Sequence, residues 1–178
     1  MQVIKAPDSR LRVQTKAVKK ISPALLQTLK EMVKLTKTFQ EPEGVGLAST
    51  QIGLGESFFV AKTLPAGRQD GQKFMSVINP KILSQGKRTK KYFEGCLSTP
   101  NIWGEVKRYI TIKASYLGID GKIITTTLKG IPAWIFQHEI DHLNGVLFQD
   151  RVLEQKGKFY KYTGKDKAGA DMFEEMTI

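Results

Sequence analysis

The sequence predicts an α+β fold, with antiparallel strands around a central helix that carries His138-Glu139-Ile140-Asp141-His142, and a further helix near the N-terminus. Three observations lead there. Apolar residues recur at helical spacing in two separate stretches, after Ser22-Pro23 and after Gly130-Ile131-Pro132. Between them lie short runs rich in Ile, Val, Phe, Thr and Tyr, bounded by turn-forming Gly, Pro, Asn and Asp. No repeat, heptad or low-complexity tract interrupts the succession of helix, strands and helix.

The first helix opens at Ser22-Pro23, because serine is a good N-cap and proline suits the first helical position. Leu25, Leu26, Leu29, Met32, Val33 and Thr36 form its apolar face, and the breakers Glu41-Pro42-Glu43-Gly44 end it. Strands are expected at 57–62, 74–79 and 90–93, with an exposed loop over 64–72 that turns at Asp70-Gly71. Segments 107–117 and 122–128 flank Gly118-Ile119-Asp120-Gly121 and predict a hairpin. The second helix runs from about Gly130 to about Leu143, with Ile131, Ile135 and Trp134 facing the core. Beyond Asp150 the chain turns polar and glycine-dotted, with 158–162 as a last strand.

Length and composition bound the function. The 178 residues suit one domain, 1–178, large enough for a continuous core. No apolar stretch approaches the roughly 20 residues of a membrane span, and no apolar segment follows the basic residues of the N-terminus as in a secretory signal. A single cysteine forms no internal disulfide, so a reducing, cytoplasmic location is expected. The net charge of +11 is uneven. The first forty residues carry nine Lys/Arg against Asp8 and Glu31, and residues 81–113 carry eight against Glu94 and Glu105. Such stretches attract a polyanion such as RNA in a salt-dependent way. A solvated, solubility-promoting surface accounts for them equally well.

The sharpest chemical feature is the HExxH sequence at 138–142. Residues i and i+4 share a helical face, so His138 and His142 reach one metal ion, with Glu139 beside its open side to handle the proton of a water. The motif also occurs by chance in helices, but these are the only two histidines in the chain. Hydrolytic sites usually have three protein ligands plus water. The lone Cys96, in Glu94-Gly95-Cys96-Leu97-Ser98, is the candidate third, although a single cysteine is more often a buried apolar residue. A His₂Cys set suits ferrous iron or zinc. In Gly44-Val45-Gly46-Leu47-Ala48-Ser49-Thr50-Gln51, two glycines allow close approach of main chain to a ligand and Gln51 offers an amide donor. The third glycine of a nucleotide loop is missing there, and taken alone the segment reads as a tight turn.

Together, GVGLASTQ, EGCLS and QHEIDH, in that order, resemble the three motifs of the peptide deformylase family. Pro7-Asp8-Ser9-Arg10-Leu11-Arg12, Gln51-Ile52-Gly53, Asn79-Pro80 and Leu143-Asn144-Gly145 extend the resemblance over about residues 1–150. The resemblance implies a hydrolase that removes the formyl group from N-terminal formylmethionine of new polypeptides. It assigns Cys96, His138 and His142 as ligands of one divalent ion: Fe2+ in the cell, with Zn2+, Ni2+ or Co2+ able to occupy the site. Glu139 matches the catalytic acid/base, Gln51 and the Leu97 N–H match the oxyanion donors, and Gly46 matches the position beside the formyl group. Val45, Ile131, Trp134 and Ile135 are candidates for the methionine pocket, though core packing explains each as well. The expected substrates are N-formylmethionyl peptides, for a monomer without membrane attachment and with transient ribosome contact.

The sequence departs from the family pattern in places. Ser49 stands where alanine is usual, and Asn101 and Trp103 follow the second motif where glycine or arginine are common, which bears on substrate residues beyond methionine. Arg108 matches a family arginine; pairing with Glu94 to brace the cysteine loop and a plain surface arginine account for it equally well. Many bacterial members end in a long basic helix. Here residues 151–178 carry six Lys/Arg against five Asp/Glu, with glycines at 157, 164 and 169. An HExxH metallopeptidase is the rival enzyme, but Leu147-Phe148 stands where a metzincin's third histidine would fall. A Cys–His thiol hydrolase leaves Glu139 and one histidine without a role. A catalytically silent, basic RNA- or ribosome-binding module is the alternative from another class.

Overall fold

The computed structural model describes residues 1–63 and 74–177. The loop expected over 64–72 therefore lies outside the described residues. The first helix, α1 (Pro23–Lys37), is capped as its sequence predicts: the Ser22 hydroxyl accepts from the Leu25 N–H, and Leu25, Leu29, Met32 and Thr36 are buried. It stops at Thr38, ahead of the breaker cluster. The chain then doubles back so closely that a Cβ at Gly44 would stand 1.9 Å from the Thr36 carbonyl oxygen.

The strands in chain order are β1 (Gly46–Ala48), β2 (Phe58–Lys62), β3 (Phe74–Gln85), β4 (Thr89–Cys96) and β5 (Thr99–Tyr109). β6 (Thr111–Leu117), β7 (Ile123–Lys129), β8 (Phe159–Lys165) and β9 (Asp171–Met176) follow. They form two antiparallel sheets among the described residues, ordered β1-β2-β3-β6-β7 and β4-β5-β8-β9. Strand β2 lies between the two helices, and all five of its residues are buried. Phe58 and Val60 pack with Leu25, Leu29 and Met32 of α1. Phe59 and Ala61 point the other way, into the cluster of Ala133, Ile135 and Phe136. An unbroken apolar run is thus a strand covered on both faces, each large side chain contributing about 1.5–3 kcal/mol.

The central helix is α2 (Ile131–Leu143), entered through Gly130 at φ 65° and Pro132. It is buried on most sides, from Ala133 to Leu143. Ile131 departs from expectation. It is 39% exposed, because as the first helical residue it lies ahead of the packed turns. Trp134 is half-buried and stacks on Tyr92 at 5.2 Å.

Several boundaries differ from those expected. β3 runs on through Asn79-Pro80 to Gln85, with register shifts on the way. Asn79 adopts φ 50°, and its side chain takes the Val18 N–H at 2.8 Å and gives to the Val18 carbonyl at 2.9 Å. Proline's missing donor therefore makes a bulge instead of ending the strand. The stretch 107–117 is two strands in different sheets, the chain changing sheet at Ile110. The β6–β7 hairpin is in place, pairing from Thr111↔Lys129 to Leu117↔Ile123. A third helix, α3 (Phe148–Glu154), was not foreseen: Phe148 and Val152, one turn apart, bury against Val106 and Phe159. Strand β9 was not foreseen either, and the last strand expected at 158–162 is β8.

Candidate metal centre

Cys96 ends β4 at a two-residue turn, Leu97-Ser98, and pairs with Thr99 of β5. This hairpin delivers a thiol that is only 3% exposed. One helical turn apart on α2, His138 and His142 hold their rings 4.9 Å apart. One ligand atom from each of the three residues lies within 4.8 Å of the others, and Cys96 Sγ is 3.2 Å from His142 Nε2. A tetrahedral ion with bonds of about 2.0–2.3 Å keeps its ligand atoms roughly 3–4 Å apart, so the trio suits one. The electrostatics agree. Burial alone would raise the Cys96 thiol, yet His142 and His138 pull it well below its ordinary value, which favours the thiolate form that binds a metal.

A buried polar chain fixes the first imidazole. His138 Nδ1 lies 2.9 Å from Glu94 Oε2, leaving Nε2 for the ion. Glu94 is fully buried and takes a two-pronged grip from Arg108, Nε to Oε1 at 2.8 Å and Nη2 to Oε2 at 2.9 Å. The pairing anticipated for Arg108 is therefore present. Burial pushes the Glu94 carboxyl up, but Arg108 and His138 outweigh it and hold it at about 2. Arg108 also donates to Asp141 at 2.5 Å, and Arg151 of α3 donates to the other Asp141 oxygen at 2.7 Å. Sequence reasoning missed Asp141 and Arg151. A charged residue on the buried side of an apolar helix was the available signal. His142 Nδ1, by contrast, has no hydrogen-bond partner among the described residues.

Gln51 sits in the 3₁₀ turn Ser49–Ile52, 1% exposed. Its Oε1 accepts the Ala48 N–H at 2.8 Å, which turns Nε2 toward Ser98 Oγ at 3.1 Å and Cys96 Sγ at 3.4 Å. Leu97 is buried and its carbonyl accepts from Lys5 Nζ at 2.5 Å. Glu139 is 2% exposed and its Oε2 has no hydrogen-bond partner among the described residues. Burial raises this carboxyl to about 7, against the pull of His138 and His142. Strand β1 passes it so closely that a Cβ at Gly46 would stand 2.2 Å from Glu139 Oε1. Val45, Trp134 and Ile135 line a cavity of about 150 Å³ together with Cys96, His138 and Glu139. Ile131 is not part of its wall.

Residues 1–158 match the family model of polypeptide deformylase. The chain belongs to that family. Curated relatives include the peptide deformylase of Thermotoga neapolitana, 40% identical over 84% of this chain and 85% of the relative. That of Agrobacterium fabrum is 38% identical over 84% of this chain and 85% of its own. The crystal structure of the Thermotoga maritima peptide deformylase superposes with a TM-score of 0.76 at 38% identity, covering 84% of this chain and 95% of that one. An Acinetobacter baumannii class I type b peptide deformylase, with Met-Ala-Ser bound, superposes with a TM-score of 0.76 at 31% identity, covering 85% and 97%. Membership makes the chain a metal-dependent deformylase, and neither the metallopeptidase nor the silent RNA-binding reading is favoured. Among the described residues, no helix is long and apolar enough to cross a membrane.

Proposed function

We propose that Cys96, His138 and His142 hold one divalent ion and that Glu139, Gln51, Leu97 and Gly46 use it to remove the formyl group from N-terminal formylmethionine of nascent polypeptides. The observation that carries this reading is the unpartnered, buried Glu139 carboxylate, facing the same cavity as the Cys–His–His trio. A formamide carbonyl is a poor electrophile and neutral water a poor nucleophile. When bound, the ion supplies a Lewis acid that acidifies water and polarises the carbonyl. Glu139, with a pKa of about 7, is matched to accept the water proton and hand it to the departing amine at neutral pH. The products are formate and a free methionyl amine.

Gln51 Nε2 and the Leu97 N–H meet the charge that grows on the formyl oxygen, and losing one such donor costs about 10²–10³ in rate. Gly46, lacking a Cβ, lets the β1 backbone lie against Glu139 beside the place of the formyl group. Val45, Trp134 and Ile135 receive the methionine side chain, while exposed Ile131 is left at the rim. The soft thiolate and two imidazoles suit Fe2+ in the cell, with Zn2+, Ni2+ or Co2+ as substitutes. The whole of 1–178 acts as one catalytic domain, a cytoplasmic monomer whose basic N-terminal half makes transient ribosome contact.

The test is formate release from formyl-Met-Ala-Ser by anaerobically purified protein, run beside the acetylated peptide, an internal-bond substrate and Glu139→Ala, with metal content measured. Formate from the formyl peptide alone, lost in the variant while metal stays, supports the reading. Internal cleavage, or full activity in the variant, overturns it.

A further inference from the structure

The segment ahead of Pro7 contributes none of the residues assigned to the site, yet its residues 4–6 reach three segments that surround it. Leu97 and Ser98 form the two-residue turn after Cys96, so they stand outside the β4–β5 ladder and their carbonyls need other donors. Two consecutive N-terminal residues supply them. Lys5 Nζ donates to the Leu97 carbonyl at 2.5 Å, and the Ala6 N–H donates to the Ser98 carbonyl at 2.8 Å. One residue earlier, the Ile4 N–H donates to the Gln51 carbonyl at 2.8 Å.

These bonds join parts that hang from different sheets. Gln51 follows β1 of the five-stranded sheet, whereas Leu97 follows β4 of the four-stranded one. Of the three bonds, that of Lys5 is the one made by a side chain. The same ammonium lies 5.6 Å from the centre of the Phe39 ring, and the Phe39 carbonyl accepts from the N–H of Gly44 at 3.2 Å, two residues before Gly46. Lys5 is therefore held between a ring and a carbonyl, and a charged donor makes the stronger kind of hydrogen bond. Its side chain is largely exposed, so its loss costs the fold little and falls on the turn it grips. With Cys96 fixed by the ladder on one side and the Leu97 carbonyl fixed on the other, the Leu97 N–H has a set direction.

We propose that Lys5 is a positioning residue for the oxyanion pair: by gripping the Leu97 carbonyl it aims the Leu97 N–H, while the backbone of Ile4 and Ala6 ties that turn to Gln51. The inference rests on the deformylase reading above. The sequence signal was faint, because one lysine in a basic N-terminal stretch looks like any other.

The experiment compares Lys5→Met and Lys5→Arg with the parent, all zinc-loaded and checked for metal content. Formate release from formyl-Met-Ala-Ser gives kcat and KM, and the Leu97 amide signal is followed by NMR in leucine-labelled protein. Lys5 acts through one donor whose outright loss is worth about 10²–10³, so Lys5→Met should lower kcat by about three- to thirtyfold with KM within about twofold. Lys5→Arg, which still donates a charged hydrogen bond, should recover most of the rate. The Leu97 amide signal should shift or broaden in Lys5→Met and return in Lys5→Arg. An unchanged kcat in Lys5→Met overturns the proposal, as does a loss that Lys5→Arg fails to recover or a Leu97 signal that stays put. Absence of formate from the parent would instead overturn the deformylase reading, and this inference with it.

Discussion

Helix α2 separates two environments made of similar groups. On the side of β4, β5 and α3, Glu94 and Asp141 are each met by a guanidinium, and His138 completes the chain. On the side of β1, Glu139 is buried as deeply but has an oxygen with no hydrogen-bond partner among the described residues. The carboxyls respond in opposite directions, Glu94 down to about 2 and Glu139 up to about 7. Burial is common to both. What differs is the partner, so one face gains a fixed scaffold and the other a carboxyl poised near neutrality, as the proposed proton carrier requires.

That contrast is broken most directly at Glu139. Glu139→Ala should lower kcat/KM about 10²–10⁴-fold with the metal content unchanged, and a variant within a factor of three of the parent would end the proton-carrier role. On the paired face, Arg108→Met leaves Glu94 and Asp141 short of their shared cation. Unfolding in urea should show a loss of about 3–5 kcal/mol, partly recovered on adding Glu94→Gln; a loss under about 1 kcal/mol would mean the network is not cooperative. Gly46→Ala presses a methyl onto Glu139 Oε1. We expect at least a tenfold fall in kcat, with destabilisation of about 1–3 kcal/mol, and unchanged kinetics would show that β1 yields freely.

The smallest effect concerns pH, in metal-free protein. Glu94 has a folded pKa below its unfolded value, so its stabilisation is complete above the ordinary glutamate range and is lost as pH falls toward about 2. Glu139 has a folded pKa above its unfolded value, so stability is fullest below that range and declines as pH rises through about 7. Glu94→Gln should flatten the acid limb of the stability curve and Glu139→Gln the neutral one. Identical curves for both variants would erase the contrast.

Much of this was legible from residues alone, for a reason that can be stated element by element. Ser22-Pro23, the helical recurrence after it and the i, i+4 histidines are local signals, and local physics decided them. The convergence of Cys96 on His138 and His142 was expected from chemistry, since two imidazoles call for a third donor and one cysteine was available. Elements held by distant partners were harder to see. α3 is too short to show periodicity, and only its burial against Val106 and Phe159 makes it a helix. β9 is mostly exposed, held by Phe173 among aromatic residues of β4, β5 and β8. Asp141 resembled a spacer inside a motif until Arg108 and Arg151 were seen to converge on it.

The position of Cys96 has a mechanical consequence too. It stands 46 residues from His142, on the far side of the change of sheet at Ile110. An ion gripping both is a rivet across that span, and closing a loop of such length with a covalent cross-link removes about 4 kcal/mol of freedom from the unfolded chain. Stripping the ion would therefore do more than silence catalysis. It would unfasten the cysteine hairpin from the helix, and the loss should register as earlier unfolding of the seam between the sheets.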